Sequence, residues 1–173
     1  PSEVNAVVIG RNEGARLRSC LMSLMPQVAR VIYVDSGSSD GSVDMAASLG
    51  ATVVTLDMTQ PFTAARARNA GLAKVDARFV QFVDGDCKVQ PEWIATALAF
   101  ADRHPAAAVI CGRRRERFPD ASVYNRLCDR EWNTPIGPAK ACGGDALMRT
   151  DAVRAVGGYR DDLIAGEEPE LCL

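Results

Sequence analysis

Short apolar runs rich in β-branched residues alternate along the chain with longer stretches of helical periodicity. These runs are bounded by Gly, Asp and Ser, and they predict strands. They cover residues 4–9, 30–35, 51–55, 78–83 and 107–111, with a sixth at 145–148. The run at 78–83 is nearly continuous in apolar residues, as expected of a central strand covered on both faces.

Helical periodicity fills the intervals between these runs. Helices are predicted at residues 14–24, 40–49, 62–73, 91–104 and 124–132, then from 150 to the glycines at 157 and 158, and again from 167 onward. Pro26 stops the first helix, Asp40 is placed to cap the second, and Gly50 suits the position just beyond it. Pro91 fits the first turn of the fourth helix, and Thr150 is placed to cap the sixth. Strands that alternate with helices predict an α/β fold with an open, mostly parallel sheet flanked by helices.

No repeat, low-complexity tract or linker interrupts the sequence, so residues 1–173 are predicted to form a single domain. The last residues, from Glu167 onward, have the pattern of a helix that has barely begun. We therefore expect the domain to be incomplete at its C-terminus.

Composition excludes several classes of function. Of the 173 residues 47% are apolar, and 20 basic against 22 acidic residues give a net charge of −2. Such a chain can build a substantial core but lacks the positive field that a nucleic acid partner requires. No apolar run approaches the roughly 20 residues of a membrane-spanning helix, and Pro1-Ser2-Glu3 does not begin a signal peptide. The sequence thus predicts a cytoplasmic protein with no membrane span in this segment.

The six cysteines are scattered, and His104 is the single histidine, so no spacing suggests structural zinc. An even number of cysteines is compatible with disulfides. In a chain that is neither small nor rich in loops, reduced and buried thiols are the better interpretation.

Polar clusters follow three of the predicted strands, at the edge where an open parallel sheet binds its ligands. The sharpest cluster is Asp84-Gly85-Asp86, two carboxylates around a glycine that permits a tight turn. Paired hard oxygens suit Mg²⁺ or Mn²⁺ that also binds the phosphates of a substrate, where the metal assists the loss of a diphosphate. A tight turn that merely ends a strand explains the same residues equally well.

The other two clusters are Asn12-Glu13 after the first strand and the loop from Asp35 to Asp40 after the second. Carboxylate and hydroxyl groups of this loop can bind a base or ribose, and amides at the next helix start are exposed. An ordinary capped turn is the alternative. On the third helix, Arg66 or Arg68 could reach a diphosphate, with a solvated helix face as the alternative.

Two further segments concentrate charge. Residues 113–117, Arg-Arg-Arg-Glu-Arg, could hold an anionic acceptor or a lipid head group, although a solvated edge explains them better. Residues 166–170, Gly-Glu-Glu-Pro-Glu, place carboxylates at a helix start, where the helix dipole alone accounts for them. A general base there would have to reach an acceptor hydroxyl.

Taken in order, these clusters resemble the motifs of the family 2 glycosyltransferases, which have the GT-A fold. The resemblance covers the whole chain, and six segments carry it in register. They are Val7–Glu13, similar to the opening N-E motif; Val34–Ser42, similar to V-D-D-G-S-x-D-G-T; Arg68–Leu72, similar to R-N-x-G-L; Asp84–Asp86, similar to D-x-D; Gly143-Gly144, similar to an acceptor-side loop; and Gly166–Leu171, similar to G-E-D-x-E-L.

The resemblance implies an inverting, metal-dependent transfer of a sugar from a nucleotide-diphospho-sugar to an acceptor hydroxyl. The donor would be a UDP-sugar by preference or a GDP-sugar, and the acceptor a saccharide or a lipid-linked molecule in exopolysaccharide or cell-surface glycan assembly, at the inner face of the membrane. By the same resemblance, the nucleotide-sugar would be bound by Asn12, Glu13, Asp35, Ser36, Arg68 and Asp84. Mg²⁺ or Mn²⁺ would be held by Asp86 and Asp84, the acceptor side would be lined by Gly143, Gly144 and Glu167, and the catalytic base would be Glu168.

Two positions depart from the family pattern. Ser36 stands where a second Asp is usual, which leaves the choice of nucleotide open, and Glu168 stands where Asp is usual, which requires room for an extra methylene. The elements that close over the diphosphate in the family do not occur in these residues, so we expect this piece to bind weakly and transfer poorly.

A noncatalytic nucleotide-sugar-binding module is the main alternative. Nucleotidyl transfer would require a Gly-rich loop with a basic residue after the first strand, where the sequence is Arg11-Asn12-Glu13-Gly14. Dinucleotide oxidoreduction would require G-x-G-x-x-G at the same place, and the sequence does not have this motif there.

Overall fold

A computed structural model describes residues 3–173, and its central feature is a six-stranded sheet. The strands are β1 Val4–Gly10, β2 Arg30–Asp35, β3 Thr52–Thr55, β4 Phe79–Asp84, β5 Val109–Cys111 and β6 Ala146–Arg149. The helices are α1 Ala15–Leu24, α2 Ser42–Ser48, α3 Ala64–Leu72, α4 Trp93–Arg103, α5 Val123–Trp132, α6 Thr150–Ala155 and α7 Glu167–Leu171, with a short 3₁₀ turn at Pro119–Ala121.

The strand order is β3-β2-β1-β4-β6-β5. The first four of these strands are parallel, whereas β6 runs antiparallel to both β4 and β5. The predicted α/β architecture is therefore confirmed, and β4 lies near the centre of the sheet, as its apolar run indicates. No helix within residues 3–173 is long and apolar enough to cross a bilayer.

Alternate residues of β1 explain why helices cover both faces of the sheet. Val7 and Ile9 pack into a core cluster with α3 and α6, while Ala6 and Val8 pack into another with α1 and α2. Helix α3 lies so close to β1 that a Cβ on Gly71 would come within 2.3 Å of Val7. Glycine at that position is what lets the helix carrying Arg68 approach the sheet.

Several helix starts differ from the sequence prediction. Asp40 accepts a hydrogen bond from the Ser42 amide at 3.1 Å, but α2 begins at Ser42 because Gly41 has a left-handed φ of 80°. Pro91 lies before α4 and not in its first turn, since Glu92 has a φ of 66°. Thr150 was predicted to cap α6; it is the first helical residue instead, and its buried hydroxyl has no partner among the described residues.

Candidate active site at the carboxyl edge of the sheet

The carboxyl ends of β1, β2 and β4 bring the predicted polar clusters to one edge of the sheet. In the parallel register Gly10 pairs with Asp35, and Ile9 pairs with Asp84. The loops that begin at these residues are consequently neighbours. The register alone therefore joins clusters that are as far apart in sequence as Asn12 and Asp84.

Asp35 shapes the loop that follows β2. Its carboxylate is 2% exposed and accepts hydrogen bonds from the amides of Gly37 and Ser38, both at 2.9 Å. The hydroxyl of Tyr33 donates to the other carboxylate oxygen at 2.8 Å. Burial raises the pKa of Tyr33 well above its usual value, and the neighbouring Asp35 adds to this effect. Asp35 thus acts here chiefly on the protein, holding the loop in place.

Asn12 joins the loops after β1 and β2. Its backbone N–H donates to the Ser38 hydroxyl at 2.9 Å, and its side-chain oxygen accepts from the backbone N–H of Ser39 at 2.7 Å. Asn12 has a φ of 56°, a conformation that asparagine tolerates better than most residues. Next to this clasp, Ser36 is buried, and its hydroxyl has no hydrogen-bond partner among residues 3–173.

Glu13 links this region to the fourth strand. Burial raises the pKa of its carboxyl, the guanidinium of Arg16 at 2.8 Å opposes the rise, and the negative charges of Asp86, Asp40 and Asp84 add to it. The carboxylates of Glu13, Asp40, Asp84 and Asp86 thus lie near enough to one another to concentrate negative charge at this edge. A cation would be stabilised there.

The turn at Asp84-Gly85-Asp86 is held tightly against β1. The Gly85 amide donates to the Ile9 carbonyl at 2.8 Å, and a Cβ on Gly85 would meet that carbonyl oxygen at 3.0 Å. Asp84 is half-buried, and burial raises the pKa of its carboxyl although Arg68 opposes the rise. Asp86 is exposed beside it.

These two carboxylates fit a divalent cation of the Mg²⁺ or Mn²⁺ type by their chemistry. Both are hard oxygen donors on one turn, and the surrounding edge carries excess negative charge. Within residues 3–173, no group of three or more His, Cys, Asp or Glu side chains is arranged to hold a metal ion. A metal held by Asp84 and Asp86 would therefore need its remaining ligands from substrate and water.

Arg68 is the hub of the site. It is 2% exposed, and its guanidinium donates to Asp84 at 2.9 Å and to Glu167 at 2.7 Å, with Glu168 Oε1 at 3.1 Å. Tyr159 lies beneath it, 5.5 Å from ring centroid to Cζ. One buried cation on α3 thus connects the end of β4 with the first turn of α7.

Arg68 is buried, so it does not lie on the solvated helix face that was one of the two sequence interpretations. Its two terminal nitrogens face carboxylates, so a contact with the diphosphate stays a prediction. Glu167, predicted on the acceptor side, is 5% exposed and faces Arg68. Glu168 is the more open of the two, with 17% of its side chain exposed.

The glycine pair before β6 completes the enclosure of this ion cluster. A Cβ on Gly144 would lie 2.5 Å from Arg68 Nη2 and 2.7 Å from Asp84 Oδ2, and one on Gly143 would lie 2.5 Å from Arg114. The loop therefore requires glycine to lie against the site.

Sequence reasoning missed two residues beside this loop. Arg114 pairs with Asp145 at 2.6 Å and lies over the ring of Trp132 at 5.3 Å. The arginine run at 113–117 is visible in the sequence, but which arginine turns inward depends on the return of the chain into β6.

The strand order and the position of this edge are those of the GT-A fold. The model of the family "Glycosyl transferase family 2" matches residues 6–154, and the chain belongs to that family. The family that the sequence resembles is thereby confirmed.

Two curated relatives show how much of a longer protein this chain corresponds to. It is 29% identical to the pre-mycofactocin glycosyltransferase of Mycobacterium tuberculosis over 98% of this chain and 38% of that protein. It is 22% identical to glycosyltransferase AglE of Haloferax volcanii, over 94% of this chain and 58% of the relative. The chain thus spans less than two thirds of the length of either.

Solved structures share the fold at low identity. TarS residues 1–349 from S. aureus superpose with a TM-score of 0.73 and 20% identity, over 98% of this chain and 53% of that one. The mannosyltransferase PcManGT from Pyrobaculum calidifontis, solved with GDP-Man and Mn²⁺, superposes with a TM-score of 0.73 and 20% identity, over 98% of this chain and 50% of that one. Glucosyl-3-phosphoglycerate synthase from Mycobacterium tuberculosis, solved with UDP, superposes with a TM-score of 0.65 and 21% identity, over 88% of this chain and 58% of that one.

Proposed function

We propose that the protein transfers a sugar from a nucleotide-diphospho-sugar to an acceptor hydroxyl, with inversion at the anomeric carbon and dependence on a divalent metal. The observation that carries the proposal is the Arg68 cluster, because it places Asp84 at the end of β4 and Glu168 on α7 around one cation. A metal and donor at Asp84-Asp86 would then lie beside the proposed base. This juxtaposition is what a single displacement requires.

The donor would bind along the loops after β1 and β2. Asn12 and Asp35 fix the loop conformation, and the buried hydroxyl of Ser36 has no partner in the described residues. A nucleoside would thus meet a preformed surface whose own polar groups are largely satisfied. Solved relatives hold UDP and GDP-Man, so we propose a UDP-sugar first and a GDP-sugar second.

Asp86 and Asp84 would hold Mg²⁺ or Mn²⁺. Bound there, the ion would supply Lewis-acid stabilisation of the diphosphate as it leaves. One oxygen of Asp84 is already committed to Arg68 at 2.9 Å, so we assign Asp86 as the principal ligand. Glu13 contributes negative charge to the same edge.

Glu168 is the proposed catalytic base. It takes the proton of the acceptor hydroxyl as that oxygen bonds to the anomeric carbon, and the bond from this carbon to the diphosphate oxygen breaks. Arg68 pairs with Glu168 at 3.1 Å, and this contact fixes the position of the Glu168 carboxylate next to the end of β4. We propose Arg68 and Glu167 as positioning residues, since both are buried and face one another.

The acceptor would approach beside Gly143 and Gly144, whose loop packs against the ion cluster. We propose a saccharide or a lipid-linked hydroxyl in exopolysaccharide or cell-surface glycan assembly, with the protein in the cytoplasm at the inner face of the membrane. Small residues at the loop are consistent with a bulky acceptor.

The alternative is a module that binds the nucleotide-sugar without catalysis. Both hypotheses require the protein to bind a nucleotide. Calorimetric titration of a panel of nucleoside diphosphates, with and without Mn²⁺, tests this binding. We expect one nucleotide to bind in a Mn²⁺-dependent manner, Asp86→Asn to abolish that dependence, and Asp102→Asn, an exposed acid on α4, to leave it intact. Binding that is indifferent to Mn²⁺ and to Asp86→Asn would contradict the metal assignment.

A further inference from the structure

Between β5 and β6 the chain leaves the sheet and forms α5, a helix none of whose residues is buried. Its half-buried residues are Asn125, Cys128, Asp129 and Trp132, spaced as i, i+3, i+4 and i+7. This mixed face is the one turned toward the protein. The helix therefore packs with its opposite face in solvent.

The outward face of α5 carries its aliphatic residues. Val123, Arg126, Leu127 and Arg130 share the same helical spacing, and Val123 is 68% and Leu127 51% exposed. Tyr124 beside them is 79% exposed, and Phe118, just before the 3₁₀ turn, is 60% exposed. We call these six residues the outward surface. Its orientation is the reverse of a helix that buries its apolar stripe against its own protein.

Ten residues form too short a helix to be stable in water by propensity alone. The contacts that hold the half-buried face of α5 are mostly polar: Arg115 pairs with Asp129 at 2.7 Å, the Glu116 amide donates to Asp129 at 3.0 Å, and Arg114 lies over Trp132 at 5.3 Å. An outer partner for Val123 and Leu127 would add the burial that the protein side does not supply.

The charge around this surface indicates which partner fits. Six arginines and four acids lie within residues 113–131, in a chain whose net charge is −2. Arg113, Arg117, Arg126 and Arg130 form no ion pair with a carboxylate among the described residues. Exposed arginines flanking aliphatic and aromatic side chains are the features of a helix that lies in a membrane interface.

We propose that the outward surface docks on an anionic lipid bilayer, with α5 lying parallel to the membrane plane. Val123, Leu127 and Tyr124 enter the head-group region, while Arg126 and Arg130 contact lipid phosphates. Through Arg114, Trp132 and Asp145, this orientation brings the Gly143-Gly144 loop near the bilayer. The inference does not depend on sugar transfer, because it concerns binding to lipid alone.

Co-sedimentation with sucrose-loaded vesicles tests the proposal, with neutral phosphatidylcholine compared to a 3:1 mixture with phosphatidylglycerol. We expect binding to the anionic vesicles that weakens as salt is added, and little binding to neutral ones. Arg126→Ala with Arg130→Ala should reduce the partition coefficient roughly 25-fold at low ionic strength, from about fivefold for each arginine. Val123→Ser with Leu127→Ser should reduce it at least roughly tenfold.

Matched controls remove the same groups from other faces. Arg18→Ala with Arg103→Ala takes from α1 and α4 two exposed arginines that form no ion pair within residues 3–173, and Met22→Ser with Val156→Ser takes two exposed apolar side chains. Both control pairs should bind within twofold of the unmodified chain, and circular dichroism should show all variants folded.

Three results would overturn the proposal. They are the absence of binding to anionic vesicles at low salt, an equal loss in the control pairs, and self-association that Leu127→Ser abolishes without any vesicle binding. The last result would identify the surface as an interface between copies of this chain. None of them bears on nucleotide binding, so the proposed function is tested separately.

Discussion

The loops after β1 and β2 differ from the segment between β5 and β6 in how the fold holds them. In the first region, Asp35 and Asn12 bind backbone amides within loops that short parallel strands have already placed side by side. In the second region, residues 112–145 are held by two arginine-carboxylate pairs and by a hydrogen bond from the Glu116 amide to Asp129, and α5 buries none of its residues.

We propose that this difference separates a preformed donor side from a more adaptable acceptor side. Short backbone-anchored loops cost no reorganisation when a ligand arrives. An exposed segment held by side-chain pairs can adapt to different acceptors, because loops on a rigid scaffold vary at little cost to the core. Arg68 and Gly144 lie where the two regions meet.

Replacing Arg68 should have the largest effect of any single change. Arg68→Met leaves Asp84, Glu167 and Glu168 without their buried cation, and we expect unfolding free energy to fall by about 3–5 kcal/mol. Urea unfolding measures this, with Arg103→Met, an exposed arginine on α4, as a control expected within about 0.5 kcal/mol. A loss below about 1 kcal/mol would show that the two regions are not joined through this residue.

The same variant makes a prediction about pH. Burial raises the pKa of Asp84, so its protonated form is favoured in the fold, and the cost of its negative charge appears as pH rises through that pKa. Without Arg68 this cost is uncompensated. The loss of unfolding free energy in Arg68→Met should therefore become smaller as pH is lowered from 7 toward 4. A loss that becomes larger would contradict the pairing of Arg68 with the Asp84 carboxylate.

Asp35→Asn should weaken the preformed donor side. The amide can accept as only one atom, so at least one of the bonds from Gly37, Ser38 and Tyr33 is lost, at about 2 kcal/mol. Nucleoside diphosphate affinity should drop roughly tenfold by calorimetry, since that loss disorders the binding loop. Asp102→Asn provides the control, and unchanged affinity in Asp35→Asn would show that the loop does not need its anchor.

Gly144→Ala tests the contact between the two regions. The added methyl group would lie 2.5 Å from Arg68 Nη2 and 2.7 Å from Asp84 Oδ2, and relieving this overlap should cost about 1–2 kcal/mol. Ala141→Val adds bulk to the exposed part of the same loop and should leave stability nearly unchanged. Equal effects from both would remove the special role of Gly144.

The smallest expected effect concerns the acceptor side alone. The hydrogen bond from Arg115 lowers the pKa of Asp129 to about 2, so the pair should persist from neutral pH down to about 4 and be lost as pH falls toward 2. A carboxyl titration by NMR should report this value. In Arg115→Ala it should return toward the usual value of roughly 3.9.

The sequence predicted the donor side better than the acceptor side for physical reasons. Apolar runs and turn residues are local signals, so β1, β2 and β4 and the loops beginning at Asp35 and Asp84 could be placed from them. Their convergence followed from the rule that parallel strands share a carboxyl edge. Helix starts were less accurate, because the left-handed backbone of Gly41 and Glu92 delays α2 and α4.

The partners of Arg68 could not be predicted. Glu167 and Glu168 lie 99 and 100 positions away in sequence, and their approach depends on α7 packing against the sheet. The antiparallel direction of β6 and the inward turn of Arg114 likewise depend on tertiary register. The sequence of residues 113–117 indicates a positively charged segment, but it does not show that Arg114 is the arginine that pairs with Asp145.

In the proposed function, Asp86 holds the metal on which nucleotide binding depends, and Glu168 takes the proton of the acceptor hydroxyl. The most direct measurement combines calorimetry with the slow hydrolysis of nucleotide-sugar donors in Mn²⁺, for Glu168→Gln and for Glu170→Gln on the same helix. We predict that Glu168→Gln binds nucleotide and Mn²⁺ nearly as well as the unmodified chain but loses hydrolysis at least 100-fold, while Glu170→Gln retains both. Hydrolysis that survives Glu168→Gln undiminished would contradict the claim.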